Sequence, residues 1–496
     1  MGRRIVIDPV TRLEGHGRIE ILLDERGEVS RAWFLTPELR GFESFCVGRQ
    51  AEEMPNITNR ICGICPEAHH MASVRALDAM WGAPCLPAAE RIRRLIYNAF
   101  FVADHATHFY CFAGPDLIVG PDAPKTERNI LGVIRALGRE AGQGIIACRA
   151  RNHRLIKMLG GRGIHLCAGL PGGWSVPVTA ELAAEARQVA DENREFALAT
   201  LDLFLRLIRD DGSCRELFAP GGADPPTHYL GTVDDSGAPD VYQGEVRVVD
   251  PDGLVTTTFA PADYAAHIAE HAEPWTYMKF PYLRRFGWRG FRTGADSGIY
   301  QSTPLARLNV ADRMGTPRAQ AAFQRLYEAY GCWQNGPGGR NRPIHHRMAT
   351  HWARLVEMLA AAERMGELAR HPDLCDPLVR QAVAPRAGEG IGVVEAPRGT
   401  LIHHYACDDD GLITQVNLIV GTTHNNAAIG ISVAEAARGL IHGGTVTDGI
   451  LNRIEMAFRL YDPCCACATH AVGKTPFEIL VRSSADGAIL DRVVRS

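Results

Sequence analysis

The sequence predicts an α+β fold, mainly helical and built as one continuous unit. Long segments carry apolar residues at helical spacing with few glycines. Shorter alternating runs, broken by Gly and Asp turns, stand near the start, in the middle and near the end. No internal repeat, low-complexity run or clear linker divides the 496 residues, although that length allows one large or two merged domains.

Taken in order, the runs "RIVIDPV", "GRIEILLD" and "GEVSRAWF" alternate from Arg4 to Phe34, with the turn "DERGE" between two of them, and predict a β meander. Helical spacing follows over Ala88–Phe112, Glu127–Leu159, Ala180–Leu207, Arg318–Tyr330 and His346–Arg370. Thr179 is placed to cap the third of these. Inserted strands are expected over Thr227–Phe259, with turns at "DDSG" and "DPDG". A second strand region, "TLIHHYACDDDGLITQVNLIVG", precedes two short helices ending near Leu460, and the tail "PFEILVRSSADGAILDRVVR" reads as a last hairpin.

The net charge of -4 gives no support to nucleic-acid binding. The start "MGRRIVIDPV" lacks the apolar run of a signal peptide, and no segment has the length and purity of a membrane span. Cys46, Cys85, Cys111, Cys148, Cys167, Cys214, Cys332, Cys375 and Cys407 stand singly and read as reduced structural thiols. That usage predicts a reducing, cytoplasmic setting.

The remaining cysteines are patterned. "RICGICPEAHH", Arg60 to His70, holds one C-x-x-C pair, and "DPCCACATH", Asp462 to His470, holds a second with a histidine three positions on. Structural zinc ribbons place two such pairs about 15–20 residues apart. Here they lie near opposite ends of the chain, so a shared site needs the whole fold to assemble it. Four thiolates suit zinc, an iron–sulfur cluster or nickel, while the close three-cysteine run of ferredoxins is missing. On the residues alone, these choices stay open.

The two stretches resemble the signature motifs of [NiFe]-hydrogenase large subunits, R-x-C-G-x-C-x-x-x-H and D-P-C-x-x-C-x-x-H. Arg60, Cys62, Gly63, Cys65 and His69 fill the first, and Asp462, Pro463, Cys464, Cys467 and His470 the second. "DPVTRLEGHG", "RGFE", "HFY", "GLPGG", "EAPRGTL" and "HNN" fall in family order. The details "IHHY", "HNN" and "CATHAVG" are similar to the cytoplasmic, multimeric, reversible branch, which couples to NAD(P), F420 or heterodisulfide-type carriers.

The resemblance implies a large-subunit-like helical core with small peripheral sheets. It implies nickel held by Cys62, Cys65, Cys464 and Cys467, with Cys65 and Cys467 bridging to an iron that carries CO and two cyanides. Glu14 matches a proton-relay carboxylate, Arg398 an arginine over the open coordination position, and Asp104 and Asp462 the aspartates that hold it. Thr423 is placed similarly to a hydroxyl that donates to a cyanide. His69 is expected to hydrogen-bond a cysteine sulfur. Glu43 and His470 match the ligands of a divalent cation, Mg²⁺ or Fe²⁺. A simpler reading of Glu43 is an ion pair with Arg40 or Arg49. His105 and His108 read as satisfied core histidines, and Cys465 as a spare buried thiol.

The chain has no phosphate-cradling loop, and "GEGIGVVEAPRG" clusters glycines without a strand–turn–helix setting. With no iron–sulfur run either, a small subunit carrying iron–sulfur clusters is implied, together with further electron-transfer subunits. The resemblance divides the chain into 1–470 and an extension, 471–496, removed after His470 by a maturation endopeptidase. That hairpin would hold the second cysteine pair open until cleavage. Two rival readings are a structural zinc protein and a quinone-reductase-like scaffold subunit. The latter relatives have lost the four cysteines that this chain keeps.

Overall fold

The computed structural model describes residues 3–220 and 224–469, and the backbone of two strands in the tail. The predicted meander is present as β1 (Arg4–Ile7), β2 (Arg18–Leu23) and β3 (Val29–Leu35), antiparallel throughout. Its alternation puts Ile19, Ile21, Leu23 and Phe34 on one buried face. Burying each such side chain contributes about 1.5–3 kcal/mol.

The helical core begins one residue beyond the first cysteine pair. Helix α1 (Pro66–Met80) takes Cys65 as its N-cap and Pro66 as its first residue, where a missing N–H costs nothing. It is buried almost all round, so no amphipathic stripe announces it. Helix α2 (Pro87–Thr107) continues into wider π-type turns over His108–Ala113 and Pro115–Val119. The segment predicted as one helix over 127–159 is two, Ile130–Leu137 and α3 (Arg139–Gly160), because Gly138 breaks the helix at φ 90°. Helix α4 (Ala180–Asp210) starts at Thr179, whose side chain accepts from Leu182 N–H. Helix α5 (Ala349–Arg370) packs on both α2 and α4 to form the centre of the largest core.

The middle strands are β4 (His228–Val233), β5 (Glu245–Val249) and β6 (Val255–Phe259), joined by a short parallel strand at Tyr300–Gln301. The glycine cluster of "GEGIGVVEA" is a strand, not a loop: β7 (Gly388–Ala396) pairs with β8 (Gly399–Cys407), which pairs with β9 (Ile413–Ile419). Its glycines admit α1 at backbone distance. A Cβ on Gly392 would sit 2.0 Å from the Ala72 carbonyl oxygen, and one on Gly390 would sit 2.2 Å from that of Ala76.

After β9 come α6 (Gly421–Leu440), a full 20 residues and not the short helix expected, and α7 (Asp448–Arg459). Both close over the meander, where Phe34 stacks on Phe458 at 5.5 Å. The tail strands β10 (Phe477–Arg482) and β11 (Ile489–Arg495) pair antiparallel, as the sequence predicts. The turn "ADG" between them lies outside the described residues. So does His470.

Candidate metal centre

The four patterned cysteines converge. The sulfurs of Cys62, Cys65, Cys464 and Cys467 all lie within 4.8 Å of one another, and every one is buried. Cys62 Sγ is 3.4 Å from Cys464 Sγ, and Cys65 Sγ is 3.6 Å from Cys467 Sγ.

The first pair is shaped by its own turn. The amides of Ile64 and Cys65 donate to Cys62 Sγ at 3.3 and 3.2 Å. The second pair rides on a single 3₁₀ turn, Cys465–Cys467. That turn leans on the N-terminal segment: Cys465 N–H donates to the Glu14 carbonyl at 2.9 Å, and Cys464 N–H to Thr422 Oγ1 at 2.8 Å. Gly15, at φ 81°, makes the approach possible, since a Cβ there would lie 2.8 Å from Ala466 N.

Charge decides what this pocket can hold. Burial opposes ionisation of Cys62, yet hydrogen bonds from Cys464, Cys467 and Cys65, with the charge of Arg398, hold it well below the ordinary thiol range. Hydrogen bonds from Cys464 and Cys467 pull Cys65 down, but Cys62 and burial outweigh them and raise it to about 11. Burial first, then the neighbouring sulfurs, pushes Cys464 well above the normal range; burial does the same to Cys467, with Cys62 and Cys65 adding to it against a downward pull from Cys464. One thiolate thus resists the next three, and four need a cation among them. A soft divalent metal fits this donor set.

Around the sulfurs, the predicted residues fall into place unevenly. Glu14 Oε2 lies 2.8 Å from Cys464 Sγ and accepts from Ala466 N–H at 3.2 Å. Burial, and then the charge on Cys62, raises its pKa. Arg398 donates to Asp104 Oδ2 at 3.0 Å and lies 3.2 Å from Asp462 Oδ2. It is carried on the tight β7–β8 turn, where Gly399 adopts φ 150° with no room for a Cβ beside the Ser302 and Gly421 carbonyls. Burial lifts the Asp462 pKa to about 7 against the pull of Arg398 and Arg354.

His69 Nε2 sits 3.5 Å from Cys467 Sγ, as expected of a hydrogen bond to sulfur. Burial lowers its pKa to about 4, which keeps the imidazole neutral. His105 and His108 are core residues, bonded to Glu357 and to the Arg459 carbonyl. Cys465 is a buried thiol beside the four. Thr423 is buried on the first turn of α6, but the hydroxyl that bonds the cysteine loop belongs to Thr422.

The ion pair of Glu43 is with Lys279, at 2.9 Å, and not with Arg40 or Arg49. Those two arginines lie over the rings of Phe42 and Phe45. Glu43 also accepts from Leu418 N–H and, with Glu270 and Asn417, lines a cavity of about 440 Å³. The amides of Arg40 and Gly41 donate to the Thr469 carbonyl, which brings the chain just before His470 to the Glu43 loop.

Sequence reasoning missed Thr422, Arg354, His403 and Tyr405. Arg354 lies in no motif. His403 and Tyr405 lie inside "IHHY", whose likeness to one branch of the family says nothing about their contacts.

Residues 40–128 and 294–470 match the family of nickel-dependent hydrogenases, and residues 4–39 match a HoxL-like family. The chain belongs to the nickel-dependent hydrogenase large-subunit family. It is 42% identical to an iron-sulfur subunit of the F420-non-reducing hydrogenase of Archaeoglobus profundus, over 97% of this chain and 98% of that one. It is 37% identical to the beta subunit of the NAD-reducing hydrogenase HoxS of Cupriavidus necator, over the full length of both. Among solved structures, an NAD⁺-reducing [NiFe]-hydrogenase in the H2-reduced state superposes with a TM-score of 0.86 at 38% identity, over 94% of this chain and 99% of that one. A Ni-Fe-Se hydrogenase from D. vulgaris Hildenborough shares the fold, with a TM-score of 0.71 at 22% identity, over 95% of this chain and 100% of that one. This hydrogenase chain is therefore an oxidoreductase acting on H2, with its four clustered cysteines as the metal site. The zinc and scaffold readings are set aside.

Proposed function

We propose that this chain splits dihydrogen heterolytically and reversibly, and that Cys62, Cys65, Cys464 and Cys467 are the residues that would hold a nickel–iron centre whose iron would bring CO and two cyanides. The convergence of four buried sulfurs from the two ends of the chain carries this reading. When bound, such a pair of metals polarises H2 and accepts its electrons.

The protein's own part is to hold charge and move the proton. Glu14 takes the proton from Cys464, whose sulfur it touches, and burial keeps its basicity high enough for the task. Water is near, because Gly15 and His16 are exposed. Arg398, clamped by Asp104 and Asp462, presents a fixed cation beside the sulfurs, suited to donating to a cyanide and polarising the incoming H2. Thr423 is assigned the hydroxyl facing the other cyanide. Glu43 and His470 are assigned to Mg²⁺, and the Thr469 contact with the Glu43 loop supports it. Such an ion would have to share or displace the ammonium of Lys279.

Electrons leave through a partner. Arg60 and Gly63 are exposed while Cys62 and Cys65 are buried, so the first motif lies directly under the surface. A small subunit with iron–sulfur clusters, docked over Gly63, would sit within short reach of the sulfurs. Further electron-transfer subunits fit relatives that are themselves named as subunits of hydrogenases. Free cysteines throughout the chain fit a cytoplasmic setting.

The test is metal analysis with infrared spectroscopy on the purified complex. The reading expects nickel near one per chain and CO and cyanide stretches. Zinc at that stoichiometry, with no such bands, would overturn it.

A further inference from the structure

Beyond the ligands, one buried chain of hydrogen bonds ends on a site sulfur. From Cys467 Sγ it passes to His69 Nε2 at 3.5 Å, and from His69 Nδ1 to His403 Nε2 at 3.0 Å. His403 Nδ1 then contacts the Tyr405 hydroxyl, which is 3.1 Å from Ser73 Oγ. All four side chains are fully buried.

The geometry follows from two periodicities. His69 and Ser73 are four apart on α1 and share a face, and His403 and Tyr405 are two apart on β8 and share a face. Their cross-strand partners are Gly392 and Gly390, the glycines that let α1 approach. The adjacent His404 is engaged elsewhere, with Glu389 and Tyr264. The close helix–strand packing therefore builds a matched pair of polar faces.

We propose that His403 is a positioning residue which, with Tyr405, fixes the ring of His69 so that its Nε2–H donates to Cys467 Sγ. The proposal rests on the metal-thiolate reading given above. A thiolate only accepts, and a neutral imidazole has one donor and one acceptor. With Nε2–H of His69 turned to the sulfur, its Nδ1 must accept from His403 Nε2–H. His403 Nδ1 then faces the Tyr405 hydroxyl, which itself donates to Ser73 Oγ at 3.1 Å. The opposite sense would set a nitrogen lone pair against the sulfur. The two histidine links therefore point toward Cys467, and the Tyr405 hydroxyl, anchored on Ser73, holds the His403 ring in place.

A hydrogen bond to a ligating sulfur draws off charge and raises the reduction potential of its metal. The test uses the purified full complex and three variants: His403→Leu, His403→Gln and Tyr405→Phe. Nickel per chain, the midpoint potential of the centre and H2 oxidation are measured in each. His403→Leu should lower the midpoint potential and cut activity about 10- to 100-fold. His403→Gln, whose amide nitrogen can replace the Nε2–H donor, should restore most of both. Tyr405→Phe should shift the potential in the same direction by a smaller amount.

If His403→Leu chains carry no nickel, Tyr405→Phe decides, since it removes one oxygen. Wild-type potential and activity in the deciding variant, or Gln behaving like Leu, would overturn the proposal. A wild-type complex without nickel or H2 activity would instead remove the metal reading beneath it.

Discussion

Cys62 and Cys65 are held by their nearest neighbours in the chain. The amides of Ile64 and Cys65 donate to the Cys62 sulfur, and α1 starts at the next residue. Cys464 and Cys467 have only a single 3₁₀ turn of their own. They are held by Glu14, His69 and Thr422, which come from three other parts of the chain. The first pair can be shaped as soon as its helix forms. The second exists as a site only when the meander, α1 and α6 are already packed. The groups that touch the second pair include Glu14, proposed to take the proton, and His69, proposed to donate the hydrogen bond to sulfur.

Removing a sulfur from either pair should erase the distinction, because the cation is shared. Cys62→Ser and Cys467→Ser should each lose nickel and all H2 activity. Normal nickel stoichiometry in either would remove that cysteine from the ligand set. Arg398→Lys comes next. Lysine loses the planar fork that spans Asp104 and Asp462: it can hold one of them, and Asp462 would then rely on Arg354 at 3.4 Å. Nickel should be retained and kcat should fall about 10²- to 10³-fold, whereas unchanged kinetics would take Arg398 out of the mechanism.

Glu14→Gln tests the second pair alone. It keeps the shape near Cys464 and removes the base, so nickel should stay and turnover should fall about 10²-fold. Full turnover would mean that the proton leaves by another route. Thr422→Val has the smallest expected effect. It strands the Cys464 amide at a cost of about 1–3 kcal/mol, which should appear as a lower thermal midpoint with the first motif unaffected. A midpoint equal to that of the wild type would show that Thr422 contributes nothing to holding the second pair.

The tail bears on the same contrast. Cleavage after His470 remains the proposal for the active enzyme. Intact mass of purified, active protein measures it: a chain ending at His470 supports it, and full activity with the extension retained refutes it.

How much of this is legible in the sequence varies with the kind of signal. The meander and α4 with its Thr179 cap are readable because their apolar residues alternate or repeat along one exposed-to-buried boundary, and the tail hairpin because its apolar residues alternate in sequence. Helix α1 is not, because it is buried on every side and carries no stripe. Strand β7 is not, because its glycines serve a neighbouring helix and look, in sequence, like a turn. Among site residues, Glu14, Arg398 and Asp462 are found through motifs and Asp104 through the family resemblance alone; the structure places Arg398 against both aspartates and Glu14 against Cys464. Lys279 as the partner of Glu43, and Thr422 as the hydroxyl on the cysteine loop, carry no motif.

The sequence by itself determined the donor atoms: two C-x-x-C pairs, a carboxylate in "RLEGHG" and an arginine in "EAPRG". Side-chain chemistry is a local property, so it can be read residue by residue. Which atoms meet was decided by tertiary structure alone. Cys62 and Cys464 are 402 residues apart, and their 3.4 Å separation depends on contacts made by every layer between them. The same holds for the ionisation of the site. A thiol in water has an ordinary pKa, and only burial among three other sulfurs and one arginine turns four ordinary cysteines into a set that needs a cation.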